Sequence, residues 1–537
     1  MTNTKIHAGL SFLATTLLLA SPAALRAAPA DARPPDIIVL LADDLGNADV
    51  GWHGSDIRTP NLDRLAAGGA KLEQFYVLSV CTPTRVALLT GRYPIRSGMQ
   101  MNVLRENSAY GLPLEERTIA NALREAGYTT AICGKWHVGH FDRAYWPNAR
   151  GFDHWYGHLQ GINHFTHRSY TKSAEPDWYR NGEPVVEDGY ATTLEAREAV
   201  ALIRRQPAGK PLFLYVPFTG VHGPLQAPGP ESAAGYRKTM NSQRADLAAM
   251  MTAVDDGCGQ ILAALDATGR RENTLIVFAS DNGGLPPGRN LPYRAFKSSL
   301  YEGGVRSCAF AAWPGRIKPG TVVNEPLHIV DLFPTFVRLA GGSLAQKLPL
   351  DGRDIWPVLT EGSPTPHEDI LINATPQEGA LRKGDWKLVI NGRDAVSETR
   401  DPATGERKKT DRAAGKDGPR EHKVELFNLR DDPAEVRNLA PQRPEIVATL
   451  DARLRAVVDY PAVDARVKEY DRRSFRQWRA EQQAAGTYEL NMARIFSGWD
   501  GLEGETGLTW SAADEACLTR WLEAGPATTS PAVRNQT

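Results

Sequence analysis

The stretch from Cys81 to Arg92 combines a cysteine, a proline and an arginine at spacings that suit nucleophilic chemistry. It reads Cys-Thr-Pro-Thr-Arg and continues Val-Ala-Leu-Leu-Thr-Gly-Arg. A proline near the start of an apolar run predicts that a helix begins there, which places Cys81 at the positive end of the helix dipole. With Arg85 about one turn further on, this position favours a thiolate or an anionic oxygen. Cys81 is therefore a candidate nucleophile, and a buried inert cysteine is the alternative.

Polar side chains also follow four short apolar runs, each where the run ends. The runs begin at Ile37, Thr129, Leu212 and Thr274, and their composition predicts strands buried on both faces of a mostly parallel sheet. The residues behind them are Asp43 and Asp44, then Lys135 and His137, then His222, and finally Asp281 and Asn282. Ligands bind outside the carboxyl ends of such strands, so we expect one shared rim. Ordinary surface residues at strand ends are the alternative.

Four of these residues offer only oxygen ligands. Asp43, Asp44, Asp281 and Asn282 form a set that suits a hard cation, Ca²⁺ or Mg²⁺, rather than zinc. The adjacent pair Asp43-Asp44 also needs a counter-charge, because two neighbouring carboxylates repel each other when both are ionised. The sequence therefore predicts a divalent metal site, with a helix-capping Asp pair as the alternative.

Helix signals lie between the apolar runs. Thr59-Pro60 predicts a helix start with Thr as the cap, and the stretch from Glu115 to Ala126 predicts a helix that Gly127 ends. The alternation of strands and helices predicts an α/β fold, in which a large, mostly parallel sheet is sandwiched by helices.

The composition excludes several classes of protein. Among 537 residues, 62 Lys and Arg nearly balance 63 Asp and Glu, so no global charge favours nucleic acid or an anionic membrane surface. No apolar run after residue 30 approaches the ~20 residues that span a bilayer. Five scattered cysteines do not make a disulfide scaffold. We expect no nucleic-acid partner, and no membrane span once a signal segment is removed.

The first 30 residues have the order of a secretory signal peptide. Lys5 precedes an apolar stretch from Leu10 to Ala20, and Ser21-Pro22 and an alanine-rich tract follow. This order is typical of a signal peptide, and the apolar stretch is too short for a stable membrane helix. We therefore expect an exported protein, periplasmic or secreted.

The cysteine-containing stretch resembles the signature of the sulfatase family, formylglycine-dependent enzymes of the alkaline phosphatase superfamily. Residues 41–46, 134–137, 221–224, 280–284, 296–297 and 302–306 resemble the family's other active-site segments and occur in its order. Residues 381–388, and residues 425–429 with Asp432-Pro433 and Asn438-Leu439, resemble its C-terminal subdomain, which implies a smaller α+β unit carrying an antiparallel sheet. The resemblance covers residues 35 to 460. Segments 52–62 and 100–114 extend it to the arylsulfatase B-type enzymes, the N-acetylgalactosamine-4-sulfatases.

The resemblance implies a modified residue and a metal. Cys81 would be converted to Cα-formylglycine, whose hydrated aldehyde is the nucleophile. A formylglycine-generating or sulfatase-maturating enzyme would make this change and is an expected partner. Asp43, Asp44, Asp281 and Asn282, together with residue 81, would hold the metal, which is expected to be Ca²⁺, with Mg²⁺ as the alternative.

The resemblance also assigns the remaining catalytic roles. Lys135 and Lys297 would clamp the sulfate oxygens as compact point charges, and Arg85 would hold the alkoxide of the modified residue. His222, together with Lys297, would protonate the leaving oxygen, and His137 would be the base that leads to release of sulfate. The expected substrate is a small-molecule or carbohydrate sulfate ester.

Residues 137 to 167 are rich in histidine and aromatic residues. Flat rings in this region would make a wall for a sugar or aryl ring, and a packed aromatic loop is the alternative. His154 and His158 have the spacing of a metal pair on a helix, but no further carboxylate or cysteine completes a zinc set.

The expected domain organisation has four parts. They are a signal peptide at 1–30, a catalytic domain at 35–365, the C-terminal subdomain at 366–460 and a helical tail at 461–537. Hydrolysis of sulfate monoesters is the favoured function. A phosphate or phosphonate monoester hydrolase of the same superfamily, and a non-catalytic glycan-binding protein with unmodified Cys81, are the alternatives.

Overall fold

The computed structural model describes residues 33–100, 103–104, 108, 110–169, 176–375, 378–394, 398–400, 407–409, 422–489, 492 and 511–523. The chain divides into two units, Met1–Arg33 and Pro34–Thr537, and the second unit contains all the strands and helices that follow. The expected signal peptide lies outside the described residues. None of the helices in the described ranges combines the length and hydrophobicity that a membrane crossing requires.

Nineteen strands occur in the described ranges. They are β1 (Asp36–Ala42), β2 (Ala70–Leu72), β3 (Phe75–Tyr76), β4 (Thr129–Lys135), β5 (His154–His158), β6 (Tyr179–Arg180), β7 (Glu183–Pro184), β8 (Leu212–Pro217), β9 (Thr274–Ser280), β10 (Arg306–Ser307), β11 (Phe310–Ala312), β12 (Thr321–Val323), β13 (Leu327–His328), β14 (Ile370–Ala374), β15 (Gly379–Lys383), β16 (Trp386–Ile390), β17 (Glu398–Arg400), β18 (Arg407–Lys409) and β19 (Val424–Asn428).

Twelve α-helices accompany them in the same ranges. They are α1 (Pro60–Ala67), α2 (Cys81–Thr90), α3 (Ile119–Glu125), α4 (Ala191–Arg205), α5 (Pro230–Ala234), α6 (Ser242–Ala267), α7 (Glu302–Val305), α8 (Leu332–Leu339), α9 (Trp356–Glu361), α10 (Pro444–Val457), α11 (Tyr460–Ala484) and α12 (Ala512–Glu523).

The main sheet has ten strands in the order β12-β2-β11-β9-β1-β8-β4-β5-β6-β7. Its five central strands, β9, β1, β8, β4 and β5, are all parallel. In the middle, Val39 pairs with Tyr215 on one side and Val277 on the other. Every residue of β1 is buried, because its apolar run packs into one hydrophobic core on each face of the sheet. The predicted mostly parallel α/β sheet and its four central strands are confirmed.

Two helix starts differ in detail from the sequence prediction. α3 begins at Ile119 rather than near Glu115, because Thr118 and Asn121 form a capping box there. α1 begins at Pro60, but the Thr59 hydroxyl donates to Asp63 at 2.9 Å instead of capping the helix backbone. The helix α2 begins at Cys81, as the proline predicted, and all ten of its residues are buried.

A separate antiparallel sheet follows in the chain, with the order β14-β15-β16-β19. The predicted second, antiparallel sheet is thereby confirmed, whereas the domain boundaries at 365 and 460 stay predictions. Beyond it, Phe475 and Trp478 of α11 form a small core with Leu522 of α12. The ring of Phe141 packs against Trp478, with centroids 4.3 Å apart, so the tail helices contact the loop after β4. Trp499 and Trp510 lie outside the described residues.

Candidate active site

The carboxyl ends of β1, β4 and β9 bring their polar residues to one buried place. The Lys135 Nζ lies 2.6 Å from Asp43 Oδ2, and the Asp44 amide donates to Asp281 Oδ1 at 3.2 Å. Asn282 Nδ2 donates to Asp44 Oδ1 at 2.7 Å. These contacts join residues up to 238 positions apart in the chain. The shared rim that the strand ends predicted is therefore present.

Arg85 lies under this rim and holds two carboxylates together. Its guanidinium is 3.2 Å from Asp43 and 2.8 Å from Asp281, and all three side chains are fully buried. It also donates to the backbone carbonyl of Lys135 at 2.9 Å. Burial by itself raises the pKa of Asp43, but Lys135, His222 and Arg85 outweigh it and hold that pKa well below its ordinary value. Asp43 is thus a carboxylate at neutral pH.

Asp281 behaves differently from Asp43. Burial, together with the nearby charge of Asp43, raises the pKa of Asp281 to about 7 despite its contact with Arg85. One cation shared by two buried carboxylates cannot fully compensate both, so the proton resides on the less favoured one. The cluster therefore contains a site that either a proton or a further cation can neutralise.

Asp44 is contacted by Lys297 and His222, which come from two separate segments. Lys297 Nζ lies 2.5 Å from Asp44 Oδ1, and His222 Nε2 lies 3.7 Å from Asp44 Oδ2. Burial works to raise the pKa of Asp44, but Lys297 and His222 lower it below its ordinary value. The Lys297 side chain is 11% exposed whereas that of Lys135 is 1% exposed, so Lys297 is the more accessible cation.

Cys81 meets His137 at the start of α2. The Cys81 Sγ lies 3.1 Å from His137 Nδ1, and His137 Nε2 lies 3.0 Å from the Leu104 carbonyl. A carbonyl can only accept, so Nε2 carries the proton and Nδ1 presents its lone pair to residue 81. Burial, reinforced by Lys135 and Arg85, holds the pKa of His137 well below its ordinary value. His137 is therefore a neutral base aimed at position 81.

The expected thiolate at Cys81 is not supported. Burial raises the pKa of the Cys81 thiol, although Lys135 and Lys297 act in the opposite direction. Desolvation disfavours the anion more than the helix N-terminus and the two lysines favour it. An unmodified Cys81 is thus a protonated thiol at neutral pH and a poor nucleophile.

The donor set fits a divalent metal ion. Asp43 Oδ1 and Asn282 Oδ1 are buried, and neither accepts a hydrogen bond from any residue that the structure describes. Buried oxygen atoms without donors are costly unless a cation or water satisfies them. Asp43, Asp44 and His222 also offer ligand atoms that lie within 4.8 Å of one another. His222 was absent from the oxygen-only set that the sequence predicted, because the sequence gives no sign that its ring faces Asp44.

The histidine and aromatic region mainly packs the fold. Trp155 and Tyr156 are fully buried. His154 and His158 lie on the strand β5, not on a helix, and His158 contacts Thr219 Oγ1 at 2.8 Å. Trp155 and Tyr156 therefore pack the interior of the fold and do not form a wall for a substrate ring. The spacing of His154 and His158 would suit a metal pair on a helix, whereas both residues lie on a strand. Phe165 remains 44% exposed.

Comparison with known proteins identifies the family. A family model described as Sulfatase matches residues 35–343. Arylsulfatase J of Mus musculus is 39% identical over 363 residues, which are 66% of this chain and 60% of that protein. Arylsulfatase A of Homo sapiens is 34% identical over 474 residues, 80% of this chain and 88% of that protein. The chain belongs to the sulfatase family of enzymes.

A solved structure agrees with this assignment. Ps i-CgsB superposes with a TM-score of 0.68 at 32% identity, over 79% of this chain and 93% of that one. A second structure of Ps i-CgsB is a complex with k-i-k-neocarrahexaose.

Proposed function

We propose that this protein hydrolyses sulfate monoesters with a Cα-formylglycine made from Cys81 and a divalent metal. The observation that carries the proposal is the convergence on one buried site. Cys81 and its base His137 stand beside three carboxyl groups and two lysines, and these seven residues come from five separate segments of the chain. A sulfate ester is an anion whose hydrolysis moves charge onto the leaving oxygen, and such a transition state needs preorganised cations.

The raised pKa of the Cys81 thiol makes the unmodified residue a poor nucleophile, so the proposed activity requires that Cys81 be converted. Once formed, the aldehyde hydrate would supply a hydroxyl nucleophile and a second hydroxyl, which neither a thiol nor a serine carries. His137 Nδ1, already 3.1 Å from the side chain at position 81, is placed to accept a proton from it. After one hydroxyl has attacked the sulfur and the alcohol has left, removal of the proton of the second hydroxyl by His137 would re-form the C=O bond, break the C–O bond to the sulfate group and release sulfate. We assign His137 as the base for this release step, and Arg85 as the residue that stabilises negative charge at position 81.

Asp43, Asp44, Asp281 and Asn282 would hold the metal, together with residue 81. Three carboxylates and an amide are a hard oxygen set, so Ca²⁺ is the proposed ion and Mg²⁺ the alternative. The metal would bind a sulfate oxygen and make the nucleophile more acidic. His222 is close enough to Asp44 to touch the same ion.

Lys135 and Lys297 are the proposed clamp for the sulfate group. Attraction by Asp43 outweighs the opposing effect of burial and raises the pKa of Lys135, and attraction by Asp44 does the same for Lys297. Both lysines are therefore charged. Burial and Lys135 lower the pKa of His222, so His222 is neutral in the resting protein near pH 7, whereas Lys297 carries its proton. Protonation of the leaving oxygen is proposed for His222 together with Lys297, which already holds a proton there.

The substrate class is proposed to be a sulfated carbohydrate. Support comes from Ps i-CgsB, whose complex contains k-i-k-neocarrahexaose. The likeness of segments 52–62 and 100–114 to arylsulfatase B-type enzymes makes membership of that subfamily the finer proposal. Export to the periplasm or the medium is proposed from the order of residues 1–30, and a maturating enzyme would be met before or during export.

Two measurements test the function. Mass spectrometry of the peptide that contains Thr82-Pro83, from a host competent for the modification, is expected to find the aldehyde in place of the thiol. Steady-state rates on paired aryl sulfate and aryl phosphate esters are expected to favour the sulfate. Intact cysteine with glycan binding but no turnover would favour the binding protein, and a preference for phosphate would favour the phosphate or phosphonate hydrolase.

A further inference from the structure

The segment from Arg294 to Arg306 touches the proposed active site at three places. Lys297 Nζ reaches Asp44 Oδ1 at 2.5 Å. The Ser298 amide donates to the Ser79 carbonyl at 2.7 Å, two residues before Cys81. The Gly283 amide, next to Asn282, donates to the Gly304 carbonyl at 3.0 Å. Any displacement of this segment therefore moves the accessible lysine of the proposed sulfate clamp.

The fit between this segment and the metal-binding loop is tight. A Cβ atom added to Gly283 would lie 1.8 Å from the Gly303 carbonyl oxygen, and one added to Gly303 would lie 2.4 Å from the carbonyl oxygens of Arg294 and Ala295. Close-packed contacts of this kind transmit small shifts rather than absorb them. The position of the segment thus also bears on Asn282.

A buried charge cluster holds the segment from the side of the antiparallel sheet. Glu302 is fully buried and lies 2.8 Å from Lys387 Nζ. Glu302 also accepts from the Tyr76 hydroxyl at 2.9 Å and pairs with Arg306 at 3.1 Å. Lys387 comes from β16, so this contact joins the antiparallel sheet to the segment that carries Lys297.

Glu435 completes the cluster. Its carboxylate accepts from the Glu302 backbone amide at 2.6 Å and lies 2.9 Å from Lys387 Nζ. Both Lys387 and Glu435 are fully buried. Burial works to raise the pKa of Glu302, but Lys387 and Arg306 lower it to about 2, so Glu302 is charged. Lys387 belongs to the sequence motif at 381–388, and Glu435 lies between the motif residues Asp432-Pro433 and Asn438-Leu439. Neither motif supplies a group to the proposed chemistry.

Stability alone does not explain such a cluster. Buried ion pairs often contribute little net stability, since apolar side chains of similar volume replace them at small cost. What the pairs do provide is direction, because Lys387 Nζ lies 2.8 Å from Glu302 and 2.9 Å from Glu435, and only a narrow range of positions brings it close to both carboxyl groups. Burial raises the pKa of Glu435 to about 7 although Lys387 acts in the opposite direction, so Glu302 is the more strongly charged partner. In this cluster that geometry fixes the start of α7, five residues after Lys297.

We propose that Lys387 and Glu435 are positioning residues that hold Lys297 in place for binding of the sulfate group. The antiparallel sheet thereby takes part in the function of a site to which it contributes no reacting group. This inference rests on the proposed function only where it is measured by kcat/KM. The affinity for inorganic sulfate also depends on the position of Lys297 and can be measured without any turnover.

The test compares Lys387→Met with a matched control. Arg270→Met removes another buried cation, which pairs with Asp36 at 2.9 Å at the opposite end of β1 from the active site. For folded Lys387→Met we expect kcat/KM on an aryl sulfate to fall ~10- to 100-fold, the scale of a misplaced binding group. The Kd for inorganic sulfate, from calorimetry, is expected to rise in parallel. Arg270→Met is expected to retain both values, and Lys387→Arg to recover part of the loss.

A double-mutant cycle with Lys297→Ala shows whether the effect passes through Lys297. In that background Lys387→Met is expected to change the sulfate Kd no further. Glu435→Gln keeps an acceptor for the Glu302 amide and serves as the second variant if Lys387→Met does not fold. Three results would overturn the proposal. The sulfate Kd could be unchanged in folded Lys387→Met or Glu435→Gln, the effects of Lys387→Met and Lys297→Ala on this Kd could be fully additive, or Arg270→Met could lose as much kcat/KM and sulfate affinity as Lys387→Met. A wild-type protein that binds sulfate but hydrolyses no sulfate ester would refute the proposed function alone.

Discussion

Binding of a divalent ion is expected to release a proton from Asp281. Without an ion, burial and the charge of Asp43 raise the pKa of Asp281 to about 7. A bound cation would stabilise the carboxylate and lower this pKa. At pH 6 a group of pKa 7 is about 0.9 protonated, so Ca²⁺ binding should release ~0.9 proton there and ~0.1 at pH 8. Below pH 7 the Kd for Ca²⁺ should rise about tenfold per pH unit, or ~1.4 kcal/mol.

The assay is calorimetric titration of chelator-treated protein with Ca²⁺ in two buffers of different ionisation enthalpy, which gives the number of protons released. Asp281→Asn is the matched control, because the amide keeps an oxygen ligand but does not titrate. Its proton release at pH 6 is expected to fall close to zero, with a Kd that varies little with pH in this range. Equal proton release by the two proteins would refute the assignment of the proton to Asp281.

The same group makes the metal-free protein less stable as the pH rises. Asp281 has a higher pKa in the folded protein than in the unfolded chain, so the unfolded chain loses this proton at a lower pH. The free energy of unfolding therefore decreases as the pH rises from about 4 to about 7, and it stays lower above pH 7. The full difference is ~4 kcal/mol at most, at ~1.4 kcal/mol per unit. The contribution of Asp281 is measured as the free energy of unfolding of the wild type minus that of Asp281→Asn at each pH. The difference is needed because other groups titrate in the same range. Burial lowers the pKa of His164 to about 4, for example, and this makes both proteins more stable as the pH rises.

Three further predictions concern single side chains. Lys297→Ala should lower kcat/KM on an aryl sulfate ~10²- to 10³-fold in initial-rate measurements. Lys297→Arg should not restore the rate, because a planar guanidinium does not replace a compact ammonium. Recovery of the rate in Lys297→Arg would contradict the role of Lys297 as a point charge. His137→Ala should release about one equivalent of aryl alcohol in a rapid burst and then turn over ~10²- to 10⁴-fold more slowly than the wild type. Slow release of aryl alcohol without a burst would instead place His137 in the attack on the sulfate ester. Trp478→Ala should remove ~3 kcal/mol of packing against Phe141, so limited proteolysis should cut within α11 earlier while the main sheet persists; unchanged cleavage would show that the tail is held elsewhere.

The sequence predicted the central sheet and the rim because both depend on local pattern. Four apolar runs without polar interruption have to be buried on both faces, and parallel strands carry the residues after them to a common edge. The proline after Cys81 set the start of α2 in the same local way. The spacing of His154 and His158 by itself decided nothing, since two residues four positions apart lie on one face of a strand as well as of a helix.

The sequence by itself therefore determined which chemical groups are available and that they gather at one end of a parallel sheet. Only the tertiary structure decided their states and partners. Burial keeps Cys81 a thiol and, with the charge of Asp43, raises the pKa of Asp281 to about 7, and Lys387 meets Glu302 across 85 positions of the chain. The reason is physical: a pKa and an ion pair depend on desolvation and on distances between segments that are remote in sequence, and packing of the whole chain sets both.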